Sequence, residues 1–366
     1  MAMLGTLFGL PEMRARLRID LAEQGTVFLL LFLGILLATA IAGPLIDAIG
    51  NKWILVASSV LVAAAMAGFA FAHSFAGAAL SAVLLGMGGG GLNTATNVLV
   101  SDLYAEERGP MLNVLGIFYG IGALCIPLLA AVIAGHFSIA QLLLFCAVLA
   151  AACAVLLLVM TFPKVSGQQG FLWPEALKVA GYPGVLVLGA LLFCQSGNEA
   201  SIAGWTSTYV GDAGLRARTA TLILAGYWTA LMVGRLIVAR LLKFRGKAEL
   251  VLASGVGALL GAVILLATRT EWMLVAGVVV IGLSYAGVFP TALAIAGDRY
   301  RKMAGTVFGL LFVIALIGGM SFPWAVGQIS QAVGVRFGMI VPLAGAAWIC
   351  LLAIVIVRRE RREKAA

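Results

Sequence analysis

Along the chain, apolar runs long enough to cross a bilayer alternate with polar turns of a few residues. The runs fall at about 24–46, 53–72, 76–100, 111–134, 139–162, 183–209, 219–241, 248–268, 272–296, 304–329 and 337–357. A membrane-spanning helix takes about 20 predominantly apolar residues, so the pattern predicts eleven full spanning helices, with Gly or Pro marking many of their ends. The longest polar interval, Pro163 to Pro183, holds Lys164, Gln168, Gln169, Glu175 and Lys178 and reads as a linker.

The pattern is written twice. Gly86, Gly91, Asp102, Tyr104, Gly109, Gly122 and Pro127 recur 196 residues later as Gly282, Gly287, Asp298, Tyr300, Gly305, Gly318 and Pro323. One constant offset across glycines, an Asp-x-Tyr-x4-Gly loop and a proline indicates a duplication, and repeats of this kind build membrane carriers whose solute site lies near mid-bilayer. The expected organisation is an N-terminal bundle over 1–162, a linker over 163–182, a C-terminal bundle over 183–357 and a basic tail over 358–366. Moved back by the offset, the span at 183–209 begins before residue 1. Met1 to Leu10 therefore reads as the end of an incomplete first helix, or as a short interfacial segment.

Composition agrees with the span pattern. Hydrophobic residues make up 63% of the chain and charged ones 11%, against roughly half and a quarter in soluble domains. The 45 glycines suit helices that associate by close packing in lipid. The net charge of +9 sits in short links between spans, which argues against nucleic acid as a partner. Seventeen of the 24 lysines and arginines fall on one side of the alternating loops, and Arg14, Arg16, Arg18, Arg216, Arg218, Arg269 and Arg336 on the other. The positive-inside rule then places the linker and the C-terminus in the cytoplasm, as expected of a multi-pass, monomeric protein of a bacterial inner membrane.

Cys125, Cys146, Cys153, Cys194 and Cys350 all lie within apolar spans without metal spacing, and His73 and His136 sit singly at turns. No His-Glu-x-x-His or Gly-x-Ser-x-Gly occurs. Neither an enzyme nor a cofactor or metal site is expected. Gly86-Met87-Gly88-Gly89-Gly90-Gly91 spells a dinucleotide fingerprint inside a span, the wrong context for one, and reads instead as a helix contact surface.

After the first complete span comes Gly43-Pro44-Leu45-Ile46-Asp47-Ala48-Ile49-Gly50-Asn51-Lys52. Its glycines would let two helix ends approach, and Asp47 could accept hydrogen bonds from a facing helix N-terminus. The stretch resembles the Gly-x-Leu-x-Asp-x-x-Gly-x-Lys gating loop of the major facilitator superfamily. That resemblance implies an all-α membrane protein of two pseudo-symmetric six-helix bundles, here eleven full helices and a partial first. It also implies that Gly43, Asp47, Gly50 and Lys52, with Asp102, Glu106 and Arg108 at the next turn on that side, form a latch for alternating access; a solvated loop that only fixes topology is the alternative. In the second half Gly234-Arg235 opens the corresponding stretch, with Val238 where Asp47 would fall.

Polar residues deep in spans are costly unless bonded. Asn93 and Asn97 lie four apart on one helix face, suited either to solute contact or to holding helices together. The richest stretch is Gln195-Ser196-Gly197-Asn198-Glu199 through Trp205 to Tyr209, where Glu199 is the acid near the middle of a span, a functional candidate by default. Gln195, Glu199 and Thr206 share a face, with Trp205 expected as an apolar platform at the outer mouth of a cavity. Among aromatics within spans, Tyr119 and Tyr285 have neighbouring glycines and are candidate solute-stacking rings.

Gly197-x-Glu199-x5-Trp205-x3-Tyr209 resembles the seventh helix of the fucose/glucose/galactose-type proton symporters within the superfamily. Gly86 to Asn97 resembles their fourth helix, and Leu112-Asn113 through Gly120, Gly122 and Pro127 their fifth. Those symporters carry a glutamate where this chain has Asn93, so the resemblance leaves proton coupling open, with Glu199 as the stand-in. It implies a secondary transporter of a small polar solute, a sugar above all. Export of hydrophobic compounds and a non-transporting sensor or structural subunit are the alternatives.

Overall fold

The computed structural model describes residues 1–104, 106–133, 137–162 and 179–365, with the backbone only at 108–110, 113, 133, 302 and 363–365. Most of the expected linker, and His136, lie outside the described residues.

Two short helices, α1 (Ala2–Phe8) and α2 (Pro11–Leu17), precede α3 (Leu21–Ile49), α4 (Asn51–Phe71), α5 (Phe75–Leu103), α6 (Arg108–Ile133) and α7 (Ile139–Val159). After the linker come α8 (Pro183–Asp212), α9 (Ala217–Leu241), α10 (Lys247–Ala267), α11 (Glu271–Arg299), α12 (Ala304–Val333), the turn α13 (Val335–Gly338) and α14 (Ile340–Ala365). Among the described residues, eleven helices are long and apolar enough to span a membrane. Several outrun their apolar stretches. The last continues through Arg358 to Ala365, where a basic tail was expected, because Arg, Glu and Lys are good helix formers and cations suit a helix C-terminus.

The chain divides into two compact units. One gathers Met1–Leu10, Leu124–Ala131 and the described part of Phe171–Ala366; the other holds Pro11–Ala123 and the described part of Val132–Gly170. The duplication is visible in the backbone of both. The starts of α3, α4, α5 and α6 at residues 21, 51, 75 and 108 are answered at 217, 247, 271 and 304. Tyr104 and Tyr300, the C-caps of α5 and α11, share one conformation, φ −122 with ψ 53 and φ −118 with ψ 41. Their N–H groups donate to Val100 and Ala296, again 196 residues apart. Within one unit α5 packs on α3 and α4, and α4 on α7; within the other α11 packs on α9 and α10, and α10 on α14.

Glycine makes these contacts possible. A Cβ on Gly86 would strike the Leu31 carbonyl oxygen across the α3/α5 contact, and one on Gly282 would lie 2.7 Å from the Tyr227 carbonyl across α9/α11. The Gly86 run is thus a packing surface. Gly86→Val is expected to destabilise the protein by about 3 kcal/mol, the upper range for overpacking, read as a lowered thermal midpoint in detergent; Gly89→Ala, with open space around it, should leave the midpoint unchanged.

Polar caps hold the ends. Arg16 donates to the Phe69 carbonyl at 2.6 Å near the end of α4, and Arg336 donates twice to Leu266 near the end of α10, at 3.2 and 2.8 Å. Both place a cation on the negative end of a helix dipole.

Candidate functional site

α8 carries the chemistry. Its partly or fully exposed positions Leu186, Ala190, Phe193, Ser196 and Glu199 step along the helix at three- and four-residue spacing, and the track stops at Glu199. From Ala200 to Val210 every position is buried.

Three neighbouring helices close that second stretch. Small residues admit α1, where Gly5 and Gly9 meet Ala203 and Ser207 with no room for a Cβ. Thr208 Oγ1 donates to the Phe8 carbonyl at 3.3 Å. Tyr209 donates to Leu265 at 2.8 Å, and the Trp205 indole N–H to Pro323 at 3.1 Å. Trp205 is fully buried. It packs α8 against α12 with its indole N–H bonded to the Pro323 carbonyl, and is not the exposed platform the sequence suggested.

Just before the sealed stretch lies a polar cluster. The Gln195 amide donates to the Tyr285 carbonyl of α11 at 3.2 Å and reaches Glu199 Oε2 at 3.5 Å. Asn198 neighbours the Tyr285 hydroxyl, within interaction range but outside hydrogen-bond geometry. Gly345 on α14 makes space for the Asn198 amide; a Cβ there would strike Asn198 Oδ1. Gln195, Asn198 and Ser201 are wholly buried and Tyr285 is 1% exposed. Yet Gln195 Oε1, both Asn198 amide atoms, Ser201 Oγ and the Tyr285 hydroxyl have no hydrogen-bond partner among the described residues. Leaving such a group unmade costs about 1–3 kcal/mol, so the cluster holds unspent bonding capacity beside an accessible carboxylate. Ser201 and the role of Gly345 were missed in the sequence, where only the spacing of Ser201 from Asn198, one turn away, hinted at the former.

The sequence placed Arg235 with the gating loop; it sits inside α9, exposed, six residues before the helix ends. No ion pair joins it to Glu199 among the described contacts.

In the other unit, Asn97 Nδ2 donates to the Asn93 backbone carbonyl at 2.6 Å and to its side-chain oxygen at 3.2 Å. The two amides largely satisfy each other, with Asn93 exposed. Tyr119 is 62% exposed on α6.

The loop that opens α4 departs from its expected packing. A Cβ on Gly43 or Gly50 would meet nothing within 4 Å. Gly50 is required by its φ of +88, a region open mainly to glycine. Asp47 is exposed and Lys52 half-buried. Asp102 Oδ2 and Asn51 Oδ1 are buried without partners among the described residues, and the Arg108 side chain lies outside them. The second copy answers differently: Asn51 corresponds to Lys247 and Asp102 to Asp298, and these two form an ion pair. The repeat offset could have located this pair, which the sequence reading missed.

Comparison with known proteins accords with this architecture. The sequence model of the Major Facilitator Superfamily matches residues 1–323 and 188–366. An uncharacterized transporter, y4wD, of Sinorhizobium fredii is 24% identical over 358 residues, 94% of this chain and 92% of that protein. A glucose/galactose transporter of Brucella abortus is 26% identical over 174 residues, 46% of this chain and 42% of its own length. In three dimensions, a mutant of the nucleoside transporter NupG superposes with a TM-score of 0.83 at 15% identity, covering 98% of this chain and 95% of that one. At that identity the likeness shows the fold alone. These relatives are transporters, not enzymes.

Proposed function

The chain belongs to the Major Facilitator Superfamily, and from that premise we propose that it moves a small polar solute, a sugar or sugar-bearing molecule, by alternating access, with Glu199 carrying a coupling proton. The carrying observation is the cluster of Gln195, Asn198, Ser201 and Tyr285, buried with hydrogen bonds unmade around the end of an accessible track. A hydroxyl-rich solute supplies the missing partners, whereas an apolar cargo would leave them desolvated and unpaired. The cluster thereby favours a polar solute over export of hydrophobic compounds. The names of a glucose/galactose transporter relative and of a nucleoside transporter with the same fold support a sugar ring as the common element.

The remaining residues take supporting roles. Asn93, Asn97 and Tyr119 are the first-half contributors to solute contact. Asp47, Lys52, Asp102 and Arg108 form the latch, and Gly43 and Gly50 its hinge. Trp205 drops out of solute binding and serves the seal.

The test is uptake into proteoliposomes of labelled D-glucose, D-galactose, L-fucose and uridine under an inward proton gradient. Accumulation of at least one above its equilibrium level, collapsed by a protonophore, is the expected result. No uptake of any of the four, with expulsion of an apolar dye instead, would turn the assignment to export.

A further inference from the structure

The end of α9 carries cations that no acid answers among the described residues. At this end of its unit, Lys247 is engaged by Asp298 and Arg361 lies 3.8 Å from Glu249. Of the other acids near this end, Glu360 sits on α14, which packs on α10 and α8, and the Glu363 side chain lies outside the described residues. Arg240, Lys243 and Arg245 are all exposed, and none is joined to a carboxylate by any described ion pair. Between the last two stands Phe244, 81% exposed. Such a ring in water is an anomaly unless something apolar receives it.

The turn that presents these residues is held in shape. Leu242 N–H bonds Val238, Lys243 bonds Arg240, and both Phe244 and Arg245 bond Leu241. Leu242 keeps helical dihedrals. The face of α9 therefore runs on past its last residue, and positions 233, 236, 237, 240, 243 and 244 form one stripe at helical spacing. Its upper part is apolar and exposed, with Val233 at 44%, Leu236 at 66% and Ile237 at 45%. Its lower part is Arg240 and Lys243 with the Phe244 ring, and Arg245 beside them. Apolar track, aromatic ring and cations follow in the order in which an acyl chain, a glycerol backbone and a phosphate follow in a phospholipid.

The first repeat lacks the arrangement. By the 196-residue offset Pro44, exposed Asp47, Ala48 and Ile49 stand where Arg240, Lys243, Phe244 and Arg245 do.

We propose that the α9–α10 turn is a binding site for one anionic phospholipid, its phosphate held by Arg240, Lys243 and Arg245 and an acyl chain laid along Val233, Leu236 and Ile237. Basic residues near an anionic leaflet each contribute about fivefold in affinity, and the ring adds apolar anchorage at the interface.

The test is native mass spectrometry of the detergent-purified full chain with equimolar phosphatidylglycerol and phosphatidylcholine. Wild type is expected to retain phosphatidylglycerol at least tenfold in excess. Lys243→Gln and Arg245→Gln should each lower that excess about fivefold, and the triple variant with Arg240→Gln should abolish it. The control pair Arg358→Gln and Arg359→Gln, at the same end of the unit, should leave it intact. Equal retention of the two lipids by wild type, or an excess that survives the triple variant, overturns the proposal. So does displacement of phosphatidylglycerol by soluble glycerol 3-phosphate, which would mark a site for free phosphate esters. Because the single variants remove only exposed side chains, an unchanged thermal midpoint shows that a lost preference is not misfolding.

Discussion

Glu199→Gln is expected to reduce proton-driven solute accumulation by about 10- to 100-fold while leaving solute exchange at equal pH largely intact. The magnitude is that of losing a charged hydrogen-bonding group, about 1.5–3 kcal/mol. The substitution keeps the size of the side chain and its contact with the Gln195 amide, so solute binding should survive. What it removes is the capacity to carry a proton, at the one acid of α8 between its two ends. The check is uptake in proteoliposomes across a pH series, paired with counterflow at equal pH inside and out. A variant whose uptake keeps the wild-type pH dependence takes Glu199 out of coupling.

Asn198→Ala is the second large effect, and its two readouts move in opposite directions. Solute affinity should fall about tenfold or more, since the amide is expected to bond solute hydroxyls. Stability in the absence of solute should stay level or rise. Asn198 is wholly buried, and neither amide atom has a partner, so truncation relieves a group whose burial costs about 1–3 kcal/mol. A residue that merely holds helices together would behave the other way, with a lowered thermal midpoint and untouched affinity. Thermal unfolding with and without solute, alongside KM for uptake, separates the two.

Both predictions rest on residues the sequence already singled out, and the reasons they were legible are physical. An acid or amide within an apolar run is so costly that its presence alone marks it. A duplication with one offset fixes helix order, and the matching caps at Tyr104 and Tyr300 show that the offset holds even for backbone dihedrals. What the sequence could not settle were properties of neighbours distant in the chain. Trp205 looked like a cavity wall because nothing local announces that the carbonyl of Pro323 lies 3.1 Å from its indole. Gly43 looked like a contact glycine, yet its surroundings are open. Arg235 was grouped with the loop that follows it, although α9 keeps it inside the helix. Lys247 and Asp298 went unnoticed because the gating motif drew attention to the first copy, where Asn51 replaces the lysine.

The sealed stretch of α8 has an electrical meaning. From Ala200 to Val210 the helix rises about 16 Å with no exposed position, whereas Glu199, next to it, keeps partial exposure. In a polarised membrane most of the voltage would drop across that dry sleeve, where each unit charge is worth about 2.3 kcal/mol per 100 mV. A proton held by Glu199, the role proposed above, would sit at the edge of that sleeve and not within it. The current should instead flow when the sleeve opens and the charge changes sides, which makes reorientation, and not proton binding, the voltage-dependent step.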